Sequence, residues 1–226
     1  TQSLAYLNQH YKGSVIADTS GPTGEGNYQL LKGMLRALGI DLAGATVGLI
    51  GAGNIGLHMI ARLREHGTRL LVVEPRDDRR RELEAMGVKT WAPADQAAFL
   101  AMPMDAVVVN AAGGTLESTA VSAICANPRV RVVCGSENLV MPDAHDADRL
   151  RDAGKVYAPT ELGGMMGYLT AAEEYLALHH TLANDGQNAL LTAGVRLASE
   201  LRGDHALADR VAAAIERAVS AQPAHN

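Results

Sequence analysis

Six consecutive residues, Gly51-Ala52-Gly53-Asn54-Ile55-Gly56, and one later carboxylate, Glu74, have types and spacing suited to a definite chemistry. Gly51 permits a tight turn, Gly53 leaves space for a pyrophosphate to approach the backbone, and Gly56 lets a helix pack close against a strand. Free N–H groups at the start of that helix, with the positive end of its dipole, attract phosphate charge. Glu74 lies about 20 residues on, where a carboxylate accepts hydrogen bonds from both hydroxyls of an adenosine ribose and repels a 2′-phosphate. That favours NAD as the cofactor. Arg76, Arg79, Arg80 and Arg81 follow closely and leave two readings open: cations for a phosphate, or the solvated first turn of the next helix.

A glycine run of this kind is informative only between a strand and a helix, and the flanking residues supply both. Thr46 to Ile50 is a short apolar run suited to a strand buried in a parallel sheet. Ile55, Met59, Ile60 and Leu63 recur at helical spacing until Gly67 stops the helix, and Arg69 to Val73 is a second apolar run. Downstream, the pattern predicts a charged helix to about Met86, a strand over Val88 to Trp91, a helix over Ala94 to Met102 and a strand over Ala106 to Val109. A helix over Leu116 to Ala126, a strand over Val130 to Cys134, a helix over Pro142 to Asp152 and a strand over Lys155 to Tyr157 follow.

This alternation defines an α/β protein with a Rossmann-type doubly wound parallel sheet, whose ligands sit at the carboxyl ends of the strands. Upstream, Leu4, Leu7 and Tyr11 suggest a short helix, residues 13–26 read as a turn-rich loop, and Glu25 to Leu38 as a helix ended by Gly39. From Met165 onward the chain reads as helices, roughly Tyr168 to Asn184, Gln187 to Leu201 and Ala206 to Ala221. The expected division is an N-terminal helix and loop (1–24), a Rossmann dinucleotide-binding domain (25–162) and a C-terminal helical extension (163–226) packing on it.

The 226 residues are 47% hydrophobic and 20% charged, a globular composition. A net charge of −5 with no basic block argues against nucleic acid as a partner. No apolar run approaches the roughly 18 residues of a membrane span, and no signal peptide is visible. Cys125 and Cys134 form no metal or disulfide framework, which points to a reducing cytoplasm. Thr1 stands where Met is expected; removal of Met before a small residue, or a longer parent chain, accounts for it.

Four motifs stand in order along the chain. They are Gly21-Pro22-Thr23-Gly24-Glu25-Gly26; Leu42-Ala43-Gly44-Ala45-Thr46-Val47 with the glycine run; Cys134-Gly135-Ser136-Glu137-Asn138; and Val156-Tyr157-Ala158-Pro159 followed by Ala171-Ala172-Glu173-Glu174. They resemble P-x-T-A-x-G, L-x-G-K-T-V with G-x-G-N-V-G, A-G-S-A-N, and V-Y-A-P with V-A-D-E in the cofactor domain of the glutamate/leucine/phenylalanine/valine dehydrogenases. The resemblance runs from about Pro22 to Val219. It implies NAD-dependent hydride transfer to or from a small 2-oxo or 2-amino acid or a related carbonyl or imine, in a homo-oligomer or with a partner catalytic domain. It also implies cofactor contacts: Thr23 near the nicotinamide amide, Gly51, Gly53, Asn54, Ile55 and Gly56 at the pyrophosphate, and Glu74 with Pro75 and Arg76 at the adenosine ribose. Ala111 and Ala112 would border the nicotinamide ribose, and Asn138 would bond to the nicotinamide end. The plain alternatives are a helix cap for Thr23 and a turn former for Asn138.

The departures bear on catalysis. In that family an N-terminal domain supplies a catalytic lysine from a G-G-x-K segment and a catalytic aspartate. Neither segment is present, and Lys12, Lys32, Lys89 and Lys155 lie in no such motif. The family's substrate-orienting Asn, in N-A-G-G-V-I-N, falls at Gly164 of Gly163-Gly164-Met165-Met166-Gly167-Tyr168-Leu169. Two readings follow: an oxidoreductase, or a non-catalytic NAD-binding module that needs a partner domain. A chain acting unaided needs a proton donor beside the acceptor atom. Glu161 and Tyr168 are the catalytic candidates, with Glu137 and Thr23 behind them. Glu161 is also readable as a first-turn helix acid, and Tyr168 as packing. Met165 and Met166 suit either an apolar wall over substrate or the core. His58 lies on the first cofactor helix and reads as structural; His145, His179 and His180 lack metal-ligand spacing, so no metal is expected.

Overall fold

In the computed structural model, which describes residues 18–179, strands β1 (Thr46–Ile50), β2 (Arg69–Val73), β3 (Lys89–Trp91), β4 (Ala106–Val109), β5 (Val132–Gly135) and β6 (Val156–Tyr157) form one sheet. Every pairing is parallel, and the order is β3-β2-β1-β4-β5-β6. The strands are apolar nearly throughout because helices cover both faces of the sheet, which is the condition for an all-parallel sheet. Alternate residues serve alternate layers. Val47, Leu49, Val72, Ala106 and Val108 pack with α1 (Ser20–Ala37), α2 (Asn54–Glu65) and Leu83 of α3 (Asp77–Ala85). Ile50, Leu71, Val73, Val107 and Val109 pack with α4 (Gln96–Leu100), α5 (Ser118–Ala126) and Leu150 of α6 (Asp146–Asp152). Each fully buried Leu or Val is worth roughly 1.5–3 kcal/mol.

The doubly wound reading is borne out, and the strand order locates the crevice. The chain leaves β1 toward β2 on one side and returns to β4 on the other, so β1 and β4 flank the topological switch point. The last helix of the described residues, α7 (Thr160–His179), follows β6 and packs against α1. The expected helix over residues 4–11 and the helices beyond His179 lie outside the described residues.

Several boundaries differ from the sequence pattern, for physical reasons. α1 begins at Ser20, inside the stretch read as a loop. Pro22 is tolerated in a first turn, and the Asp18 carboxylate accepts the Ser20 N–H at 2.9 Å. Gly24 and Gly26 are packing glycines here: a Cβ on Gly24 would meet His58 at 2.7 Å and one on Gly26 would meet Met166 at 2.7 Å. α7 likewise begins at Thr160, eight residues before Tyr168, and takes in Gly163, Gly164 and Gly167. α6 starts late, at Asp146, because the Asp143 carboxylate captures the His145 N–H at 2.9 Å and turns the chain.

Candidate functional site

The glycine-rich turn lies where β1 runs into α2, at the switch point. Gly51 has φ +95°, and a Cβ there would stand 2.6 Å from the Asn110 carbonyl oxygen at the end of β4. A Cβ on Gly56 would stand 2.2 Å from the Gly51 oxygen. Both positions are closed to any other residue. Gly53 is the opposite case: its Cβ direction meets nothing within 4 Å, so the backbone there faces open space. The first helical bond runs from the Leu57 N–H to the Gly53 carbonyl at 2.8 Å, which leaves the N–H groups of Asn54, Ile55 and Gly56 without a helical acceptor. A tight turn, an open backbone face and unpaired donors at a helix start fit the pyrophosphate of a dinucleotide.

Glu74 is only 4% exposed and reaches back into this turn. Its Oε2 accepts the Ala52 N–H at 2.8 Å and its Oε1 accepts the Arg76 N–H at 3.1 Å. One bond per oxygen leaves lone pairs for the hydroxyls of a ribose. Three of the four arginines behind it are engaged by neighbouring acids. Arg76 pairs with Asp78 at 2.5 Å, Arg79 with Glu82 at 3.1 Å, and Arg80 with Asp77. Arg80 also donates to the carbonyls of Glu74 and Pro75 at 2.6 and 2.9 Å. The reading of these residues as the first turn of a charged helix therefore suits the geometry, and the Glu74 carboxylate remains unneutralised beside the turn.

On the other side of the crevice two polar groups do work that sequence reasoning missed. Glu137, raised from sequence as a proton donor, is 2% exposed and fully engaged as a brace. Its carboxylate accepts the Ala111 N–H at 3.0 Å, the Thr115 N–H at 2.9 Å and the Thr115 hydroxyl at 2.7 Å. It fixes the loop that carries Ala111 and Ala112, both exposed at the carboxyl end of β4. Asn110 joins three elements: its Oδ1 accepts from Asn27 Nδ2 of α1 at 3.2 Å and from the Ser136 N–H and hydroxyl at 3.1 and 3.0 Å. Asn27 and Asn110 carry no motif; only burial of a polar residue amid an apolar helix face could have flagged Asn27. Asn138 is exposed beside this loop, its carbonyl 3.4 Å from the Cβ direction of Gly113.

Thr23 is buried in the first turns of α1 and is no helix cap. Its hydroxyl donates to the Thr19 carbonyl at 2.7 Å, and it lies against Gly167 of α7. Glu161 is an exposed acid in the first turn of α7, and its charge helps to raise the Tyr157 pKa after the larger effect of burial. Tyr168 is 67% exposed, two turns further along α7. No hydrogen bond joins Glu161 or Tyr168 to the glycine turn. Met166 is buried against Gly26 while Met165 is 46% exposed, so the pair divides between core and surface.

His58 is structural, as expected. Its Nε2 lies 3.1 Å from Glu25 Oε2, which also accepts from Arg62 at 3.0 Å. Burial alone would raise the Glu25 carboxyl, but hydrogen bonds from His58 and Gln29 and the Arg62 charge outweigh it and hold the carboxyl at about 2. Cys134 is buried in β5 and its thiol is pushed up to about 12, which leaves it inert. Two of the described lysines lie at the amino edge of the sheet, away from the crevice. Lys32 lies within α1, Lys89 opens β3 at the amino edge of the sheet, and Lys155 is buried at that same edge, donating to the Asn127 carbonyl at 2.7 Å.

Fold and site together define an NAD-binding domain of the Rossmann type. The family described as D-isomer specific 2-hydroxyacid dehydrogenase, NAD binding domain, matches residues 16–98. Valine dehydrogenase of Streptomyces albus is 30% identical over 160 residues, covering 70% of this chain and 43% of its own length. Leucine dehydrogenase of Bacillus subtilis is 25% identical over 155 residues, covering 67% and 41%. The crystal structure of L-tryptophan dehydrogenase from Nostoc punctiforme superposes with a TM-score of 0.65 at 17% identity, covering 96% of this chain and 65% of that one, a likeness of fold. The chain is thus similar to the cofactor-binding part of the amino-acid dehydrogenases, the family its four motifs resemble. It spans about two fifths of the length of the curated relatives it matches.

Proposed function

We propose that the chain is the cofactor-binding part of an NAD-dependent oxidoreductase and itself moves a hydride to or from a small 2-oxo or 2-amino acid, or a related carbonyl or imine. The observation that carries this reading is the glycine turn at the switch point, closed by the Glu74 carboxylate on Ala52. Bound NAD supplies the hydride acceptor or donor. The protein's part is to hold and orient it. Gly51, Gly53, Asn54, Ile55 and Gly56 would take the pyrophosphate on their backbone, and the Glu74 carboxylate, with the backbone of Pro75 and Arg76 beside it, would take the adenosine ribose. Thr23, Ala111, Ala112 and Asn138 would border the nicotinamide half, on loops that Glu137 and Asn110 keep rigid.

A second reading, an NAD-binding module that completes its site with a partner domain, is favoured by one observation: Lys89 and Lys155 lie at the amino edge of the sheet, away from the crevice. Glu161 and Tyr168 remain the proton-donor candidates for a chain acting unaided. None of the described helices is long and apolar enough to cross a membrane. We assign the protein to the cytoplasm and to a homo-oligomer or a complex with a catalytic domain. The test is NADH oxidation, followed by absorbance, with a panel of 2-oxo acids plus ammonium. Turnover by the chain alone that falls in Glu161→Gln supports the first reading in full. NADH binding with no turnover assigns the chain to the second.

A further inference from the structure

Leu139 combines two unfavourable features at one position. It is the one non-glycine residue with positive φ among the described residues, at +51°. It is also 85% exposed, more than any other large hydrophobic residue described. A left-handed backbone strains any residue that carries a Cβ, and a leucine side chain in water forfeits its burial. The conformation is nonetheless firmly held. The Leu139 carbonyl accepts the Gly114 N–H at 3.0 Å, and the Val140 carbonyl accepts the Leu116 N–H at 2.9 Å. Two residues before it, the Glu137 carboxylate is turned inward onto Ala111 and Thr115. The loop after β5 is therefore built to present an apolar side chain at the carboxyl edge of the sheet, beside Asn138.

We propose that Leu139 is a specificity-determining contact for the apolar side group of a small substrate brought up to the cofactor. This rests on the reading of the chain as the cofactor part of an oxidoreductase. Two further observations set the chemical class. The first turn of α7 docks on Gly135 through Gly163, which brings Leu162, 48% exposed, to the same strand end. Neither 135–145 nor 159–171 contains a lysine or arginine, so these segments offer no cation to an anionic side group. An apolar group loses its water against Leu139; a carboxylate there loses water with no partner.

The experiment is calorimetry on the NADH-saturated protein with two probes, 4-methyl-2-oxopentanoate and pyruvate, in the wild type, Leu139→Asn and Leu139→Met. Asparagine tolerates the left-handed backbone and methionine keeps the apolar contact. The expected result is about a 10-fold preference of the wild type for the branched acid. Leu139→Asn loses that preference with NADH affinity unchanged and a higher Tm, while Leu139→Met retains it. An unchanged preference in Leu139→Asn, no preference in the wild type, or binding of neither acid overturns the proposal. Failure of NADH itself to bind overturns the reading it rests on.

Discussion

A Cβ on Gly163 would stand 1.9 Å from the carbonyl oxygen of Gly135. α7 therefore begins with its backbone in contact with the end of β5, and Asn27 Oδ1, buried without a hydrogen-bond partner among the described residues, sits over the same glycine, 2.5 Å from that Cβ position. The neighbouring Gly164 meets nothing within 4 Å. Adjacent glycines in one helical turn thus have opposite roles. Gly163→Ala should destabilise the protein by about 1–3 kcal/mol through overpacking against backbone that cannot yield. Gly164→Ala should be neutral or stabilising by up to about 1 kcal/mol through helix propensity. Thermal unfolding of the two variants checks this; equal effects would mean that α7 does not dock as described.

That contrast also explains what was legible in the sequence. β1, β2 and β4 were readable to the residue because a buried parallel strand is a bare apolar run between turn signals. Glu74 and the glycine turn were readable because their chemistry fixes both residue type and spacing. The starts of α1 and α7 were not, because Gly24, Gly26, Gly163 and Gly167 carry the composition of a loop while serving as contact points between helices. Glycine chosen for close approach and glycine chosen for a turn look alike in a sequence. Glu137 was misread for a related reason: a lone acid near a site looks catalytic until its three hydrogen bonds are seen.

Glu137 yields a second prediction. Glutamine in its place keeps the shape but loses one acceptor, so one of the three bonds to Ala111 and Thr115 must break. Glu137→Gln should cost about 1–3 kcal/mol and speed amide exchange at Ala111 and Thr115 before the rest of the sheet. Exchange that rises uniformly instead would mean that the brace is not local.

Acid sensitivity follows from Glu25. Its folded carboxyl, at about 2, lies below the ordinary 4.5, so the stability it contributes is present above about pH 4.5 and is lost as pH falls toward 2. Its side chain is 20% exposed, and partial screening leaves a contribution of about 2 kcal/mol at neutral pH. Denaturant titrations of the wild type and Glu25→Gln should differ most above pH 5 and converge near pH 2. A gap independent of pH would contradict the assignment.

The arginines beside Glu74 give a negative control. Arg76 is paired with Asp78 and both are 61% exposed, so Arg76→Ala should leave NADH affinity within about 2-fold. A large loss would make Arg76 a cofactor contact through its side chain.

The most direct test of the central claim is calorimetric titration of the protein with NADH and NADPH, in the wild type and in Glu74→Ala. Saturable NADH binding is expected, with a clear preference over NADPH and a loss of at least about 10-fold in NADH affinity when Glu74 is removed, as for a buried carboxylate bonded to ligand hydroxyls. No binding of either nucleotide, or NADH affinity unchanged in Glu74→Ala, would contradict that claim.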